Sequence, residues 1–193
     1  LGATMSTILF VNACMRGNDS RTLSLCKEYL ATKTSDVIEE VNLDKLALSP
    51  LSGSSAAYRM EKQAEKAWDD PIFTYAKQMV EADEIVIGAP YWDLSFPAAL
   101  KIYLEHCCVC DITFHYTQEG RPEGLCKSKT LTYITTSGGF IGDKNFGYDY
   151  VCGLAEMLSL GKPRFISAEG LDIIGMDIDA QIDKARQTIK ELI

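Results

Sequence analysis

Residues 84–90 read Glu-Ile-Val-Ile-Gly-Ala-Pro, and this stretch decides the fold. Its centre, Ile85 to Ile87, is a short uninterrupted run of β-branched apolar side chains, which is typical of a strand buried on both faces. Pro90 has no backbone N–H group and cannot continue a ladder of hydrogen bonds. The stretch therefore predicts a buried central strand over residues 84–89, followed directly by a loop.

Similar apolar runs alternate with helical segments along the rest of the chain. Strand-like runs occupy residues 7–11, 36–43, 130–136 and 164–168. Helical spacing begins after Asp19 or Ser20 and recurs over residues 55–81, 98–107, 147–160 and 177–192. A break is expected at residues 68–71, with a second helix after it, and Gly161 is the expected left-handed residue that closes the helix over residues 147–160. This alternation predicts βαβ units and a parallel sheet. We predict one domain over residues 1–193, a flavodoxin-like three-layer α/β sandwich with a five-stranded parallel sheet of order 2-1-3-4-5.

The composition excludes several classes of partner and location. The chain has 193 residues, a net charge of −8 at pH 7 and seven cysteines. Acidic side chains repel a phosphate backbone, so we expect no nucleic-acid partner. The sequence has no long apolar run that predicts a membrane span, and its start does not resemble a secretory signal. The odd cysteine count favours a reducing compartment, so we expect a cytoplasmic protein.

Ligands of open parallel sheets bind beyond the carboxyl ends of the strands, and three loops are predicted there. The first, residues 12–22, contains Arg16, Ser20, Arg21 and Thr22 and runs into a helix. A helix N-terminus offers free N–H groups, and the hydroxyls and guanidinium groups suit a phosphate. An ordinary capped helix start explains the same pattern.

The other two loops offer a flat apolar wall and a close backbone approach. Residues 90–97 read Pro-Tyr-Trp-Asp-Leu-Ser-Phe-Pro, and their aromatic side chains suit a flat ligand. Residues 135–139 end in paired glycines, which let a backbone approach a ligand closely. Alternatively, residues 90–97 only cover the edge of the sheet, and the paired glycines only form a tight turn. All three loops lie at one end of the predicted sheet, in the order that a single pocket requires.

Residues 85–139 resemble the FMN-dependent NADH-azoreductase and NAD(P)H:quinone oxidoreductase family. The resemblance rests on an ordered set of segments: Ala89-Pro90-Tyr91-Trp92, Pro97 to Lys101, Thr113 to Thr117, Pro122 to Leu125 and Thr136 to Gly139. It implies FMN as cofactor and NAD(P)H as co-substrate. The expected cofactor-binding residues are Arg16, Ser20, Arg21, Thr22, Pro90, Tyr91, Trp92, Asp93, Leu94, Thr136, Ser137, Gly138 and Gly139.

The resemblance also implies a homodimer that transfers a hydride from NAD(P)H, through FMN, to a quinone, an azo compound or a similar small acceptor. Because the flavin carries the chemistry, no catalytic side chain is required. His115, Tyr116 and Phe140 are candidate substrate-side residues. Two alternatives stay open: a flavodoxin-type electron carrier that serves a protein partner, and a flavin-free regulatory domain on the same fold.

Cys107, Cys108 and Cys110 form a cluster that suggests a metal site. Zinc sites usually draw paired ligands from two separated clusters, so we interpret these cysteines as small buried apolar residues and expect no metal. A redox-sensor role is the least favoured interpretation, because nothing in the surrounding sequence visibly lowers a thiol pKa.

Overall fold

The computed structural model describes residues 5–193, and its main sheet is fully parallel. The strands are β1 (Thr7–Asn12), β2 (Val37–Asn42), β3 (Glu84–Gly88), β4 (Phe114–Tyr116), β5 (Pro122–Gly124), β6 (Thr130–Thr136) and β7 (Lys162–Ala168). The helices are α1 (Arg21–Ala31), α2 (Gly53–Ala64), α3 (Thr74–Glu81), α4 (Ala98–Cys107), α5 (Phe146–Leu158) and α6 (Ile178–Glu191).

The order of strands in the main sheet is β2-β1-β3-β6-β7. The predicted order 2-1-3-4-5 needs correction, because the strands predicted as fourth and fifth are β6 and β7. The chain forms β4 and β5 before them, and these two unpredicted strands pair with each other in a separate antiparallel hairpin. The flavodoxin-like α/β class is confirmed. The strand that includes Ile85 to Ile87 lies at the centre, between β1 and β6.

Helices cover both faces of the sheet, which gives the three predicted layers. On one face, alternate residues of the central strands pack against α3, α4 and α5, as Ile85, Ile87 and Leu100 illustrate. On the other face, Val86 packs in a cluster with residues of α1 and α6, including Ile189. Both clusters are closed to water, and this two-sided burial explains the uninterrupted apolar sequence of β3.

Several helix ends differ from the sequence prediction by one or two residues, and residues 55–81 form two helices, α2 and α3, on either side of the expected break at residues 68–71. The helix predicted over residues 147–160 ends at Leu158, two residues early, because Ser159 takes a left-handed conformation with φ 58°. Gly161 also has a positive φ, of 90°. Ser20, one of the two predicted N-caps, accepts a hydrogen bond from Leu23 N–H at the start of α1. Within residues 5–193, no helix is long and apolar enough to cross a bilayer.

The hairpin of β4 and β5 packs its backbone on the end of α5. A Cβ atom at Gly124 would overlap backbone atoms of Leu158 and Ser159, and Cys126 N–H donates to the Leu158 carbonyl over 3.2 Å. Glycine is therefore required at the point where the two backbones meet.

We expect Gly124→Ala to lower the free energy of unfolding by about 1–3 kcal/mol, because the added methyl group separates the hairpin from α5. Gly153→Ala is the matched control, since a Cβ atom there meets nothing within 4 Å. It is expected to be neutral or stabilising, because alanine favours a helix. Urea unfolding followed by circular dichroism measures both, and equal stabilities would contradict the packing described.

Candidate functional site

The three loops identified in the sequence meet at the carboxyl edge of the sheet around one pocket of about 180 Å³. They follow β1, β3 and β6, which are neighbours in the sheet. The pocket is lined by Arg16, Ser20, Arg21, Thr22, Pro90, Tyr91, Trp92, Thr136, Ser137, Gly138 and Asp172. All but the last of these residues are among those predicted to bind the cofactor.

The first loop presents hydrogen-bond donors to the pocket. The Ser20 side chain accepts from Leu23 N–H over 3.1 Å, and its own hydroxyl proton is available to another acceptor. Among the described residues, the N–H groups of Arg21 and Thr22 have no acceptor, as expected in the first turn of a helix. These groups form a site that suits an anion.

The first and third loops are joined at the floor of the pocket. The hydroxyl oxygens of Thr22 and Thr136 lie 2.7 Å apart and share a hydrogen bond. Thr136 also accepts from Tyr91 N–H through its carbonyl oxygen, over 3.0 Å. One threonine at the end of β6 therefore contacts both of the other loops and fixes their spacing.

The second loop contains a tight turn over residues 92–95. Trp92 and Ser95 exchange backbone hydrogen bonds of 3.0 and 2.9 Å, and between them Asp93 and Leu94 have φ angles of 51° and 69°. Two consecutive left-handed residues are typical of a type I′ turn, which usually contains Asn-Gly. Leu94 is strained in this position because its Cβ atom crowds the backbone.

The turn leaves two backbone donors for a ligand. The N–H groups of Tyr91, Trp92 and Ser95 are used within the protein. Among the described residues, those of Asp93 and Leu94 have no acceptor. Only these two amides of the turn are free to meet heteroatoms of a flat ligand.

Asp172 is a pocket residue that sequence reasoning missed. Its Oδ1 atom accepts from the Arg21 guanidinium over 2.7 Å, and Arg21 also donates to the Leu171 carbonyl over 3.2 Å. Its N–H group donates to the Gly138 carbonyl, and a Cβ atom at Gly138 would overlap its carboxylate. Asp172 therefore holds Arg21 across the pocket and requires glycine at position 138.

The remaining predicted residues lie outside the pocket lining. Asp93 and Leu94 form the tip of the turn, and Gly139 continues the third loop. Phe140 follows with 64% of its surface exposed. His115 and Tyr116 lie in β4 of the hairpin, where His115 Nε2 is 3.7 Å from Glu123 Oε1. Their roles toward substrate stay predictions.

The cysteine cluster is spread over different environments. Cys107 is fully buried, whereas Cys108 and Cys110 are half-buried. Burial raises the pKa of all three thiols. His106, which flanks the cluster, hydrogen-bonds through Nε2 to the Ser49 carbonyl over 2.9 Å. Within residues 5–193, no three His, Cys, Asp or Glu side chains gather as metal ligands.

A larger cavity, of about 780 Å³, lies along the edge strand β2. It is lined partly by Glu39, Lys77 and Glu81, and it does not include the three loops. The carboxyl edge of a parallel sheet is the general position for ligands, and the smaller pocket has that position.

The parallel sheet and the pocket at its carboxyl edge define a flavodoxin-like α/β protein. Residues 6–193 match a family described by its flavodoxin-like fold, and the chain belongs to that family. An FMN-dependent NADH:quinone oxidoreductase of Clostridium acetobutylicum is 36% identical to the chain, with 97% of this chain and 100% of the relative covered. The resemblance identified from residues 85–139 is thereby confirmed.

Two solved structures from Bacillus anthracis share the fold. An azoreductase has a TM-score of 0.85 at 23% identity, with 97% of this chain and 98% of that one covered. An FMN-dependent NADH-azoreductase in complex with FMN has a TM-score of 0.83 at 20% identity, with 97% of each chain covered.

We expect Leu94→Gly to be more stable than Leu94→Ala by about 1 kcal/mol, because glycine adopts the left-handed conformation without strain. Both variants lose the same side-chain contacts, so alanine is the matched control for the backbone effect. Thermal unfolding measures the difference. An alanine variant as stable as the glycine variant would show that the turn is unstrained.

Proposed function

We propose that this protein is an FMN-dependent oxidoreductase that transfers a hydride from NAD(P)H, through FMN, to a quinone, azo compound or similar small acceptor. The observation that carries the proposal is the convergence of three loops, with free amides and hydroxyls, at one pocket on the carboxyl edge of the sheet. The relative from Clostridium acetobutylicum, all of which is covered by the match, is named an FMN-dependent NADH:quinone oxidoreductase.

The first loop fits the phosphate group of FMN. Arg21 and Thr22 offer free N–H groups, Ser20 offers its hydroxyl proton, and the positive end of the α1 dipole favours an anion. Arg16 lines the pocket with a further positive charge. A phosphate that binds here competes with Asp172 for the Arg21 guanidinium.

The second and third loops fit the two sides of a flat ring system. The free N–H groups of Asp93 and Leu94 can donate to ring heteroatoms, while Trp92 supplies an apolar wall. Gly138 and Gly139 allow close approach from the other side. The bound flavin supplies the acceptance and release of a hydride, so this chain's residues only bind and orient it and limit access of water.

The absorption spectrum tests the proposal first. The protein is incubated with FMN and desalted, and retained yellow absorbance is the expected result. Oxidation of NADH or NADPH in the presence of a soluble naphthoquinone or an azo dye then measures turnover. Retained flavin without such turnover would favour the alternative function, an electron carrier for a protein partner, whereas a colourless protein would refute both.

We further propose that the chain forms a homodimer. Apolar side chains near the pocket are largely exposed, with Phe140 at 64%, Phe146 at 52% and Ile174 at 101%. Contact with a second copy would cover them and could bring Phe140, His115 and Tyr116 toward a bound acceptor. Sedimentation velocity measures the oligomeric state, and a monomer at micromolar concentration would contradict the proposed homodimer.

Two broader expectations also stay proposals. A single domain over residues 1–193 is supported by the one main sheet that the described residues form, while residues 1–4 lie outside them. A cytoplasmic location is supported by the seven free thiols.

Ser20→Asp is expected to weaken FMN binding by at least about tenfold, because it sets a negative charge against the phosphate. Aspartate is an equally good N-cap, so the start of α1 is preserved. Ser24→Asp is the matched control: it adds the same charge to the exposed side of α1, away from the pocket lining. Titration of FMN fluorescence measures the affinities, and an unchanged affinity in Ser20→Asp would remove the first loop from the site.

A further inference from the structure

Two cysteine side chains lie side by side beneath the first loop. Cys14 lies two residues beyond β1, and Cys26 lies within α1; they are 2% and 0% exposed. Both sulfur atoms occupy the space above Gly88 of β3: a Cβ atom there would overlap Cys26 Sγ and lie 3.4 Å from Cys14 Sγ. The missing side chain of Gly88 thus lets two thiols meet between the sheet and α1.

The two thiols differ in acidity. The Cys26 side chain, together with the Ser20 hydroxyl, lowers the pKa of Cys14 against the opposing effects of burial and of Glu40. Burial is the main cause that raises the pKa of Cys26 well above its ordinary value. A more acidic thiol beside a neutral one is the arrangement of a reactive cysteine and its resolving partner.

A small oxidant has a route to Cys14. The side chain lines a cavity of about 300 Å³ that shares no lining residue with the proposed cofactor pocket. The cavity admits molecules of the size of water, and hydrogen peroxide is only slightly larger. Its charged lining consists of Lys27, Glu40, Asp44 and Lys45.

We propose that Cys14 and Cys26 are a peroxide-sensitive thiol pair that hydrogen peroxide converts into a disulfide. The Cys14 thiolate attacks one peroxide oxygen: an S–O bond forms, the O–O bond breaks, and hydroxide leaves and takes up a proton. The Cys26 sulfur then attacks the Cys14 sulfenic sulfur, so that an S–S bond forms and water leaves with the Cys26 proton. The two sulfurs lose two electrons, and one peroxide becomes two waters.

Ser20 connects this pair to the pocket, in a step that rests on the proposed FMN site. Its single hydroxyl proton can be donated to Cys14 or to a bound phosphate, but not to both. A bound phosphate also places negative charge near Cys14. Both effects raise the pKa of Cys14, so bound FMN slows its oxidation.

Peptide mapping after peroxide treatment tests the proposal. The protein, with and without saturating FMN, is exposed to hydrogen peroxide; free thiols are then blocked, and mass spectrometry under non-reducing conditions measures the fraction of Cys14 joined to Cys26. The joined peptides are expected to accumulate, and to accumulate severalfold more slowly with FMN, because a raised pKa of Cys14 lowers its thiolate population.

Two variants sharpen the result. Cys152→Ser is the matched control, because Cys152 is a half-buried thiol of α5, and it is expected to leave the rate unchanged. In Cys26→Ala the resolving thiol is missing, so a cyclic 1,3-diketone is expected to trap a sulfenic acid on Cys14.

Distinct outcomes overturn distinct parts of the proposal. Both thiols still free after treatment, or Cys14 joined to another cysteine, would overturn the thiol pair. Equal oxidation rates with and without bound FMN would overturn the connection through Ser20. A protein that binds no FMN contradicts the proposed function instead. The peptide map of the flavin-free protein then still shows whether Cys14 and Cys26 form the disulfide.

Discussion

The parallel pairing of β1, β3 and β6 is the constraint on which the rest of the structure depends. These strands are buried on both faces, so each needs helices above and below it. Because they run in one direction, the loops that leave them emerge at one edge and have to meet. Thr136 joins the three loops, since its hydroxyl contacts the Thr22 hydroxyl and its carbonyl accepts from Tyr91 N–H.

Features encoded in short stretches of sequence were predictable. The β-branched run at residues 85–87 predicted the central strand, and loop composition predicted ten residues of the pocket lining. The hairpin was missed because each of its strands has three residues, too few for an alternating pattern to be seen. Ser159 closes α5 in a left-handed conformation, at a position where a serine gives no advance signal.

Features that depend on distant contacts were not predictable. Asp172 lines the pocket and forms an ion pair with Arg21, which lies 151 residues earlier in the chain. The sequence around Asp172 does not indicate this contact. The cysteines illustrate the same limit. Cys107, Cys108 and Cys110 are close in sequence but differ in burial, whereas Cys14 and Cys26 meet only because Gly88, in another strand, leaves room for them.

The position of β1 inside the sheet has a consequence for synthesis on the ribosome. β1 leaves the exit tunnel first, yet its inner neighbour β3 is translated only at residues 84–88, and β7 completes the sheet at residues 162–168. The cluster over Val86 gains Ala185 and Ile189 only when α6 has been made. The nascent chain therefore carries an incomplete sheet with exposed apolar surface until β7 and α6 have been made, and its productive folding depends on these two elements.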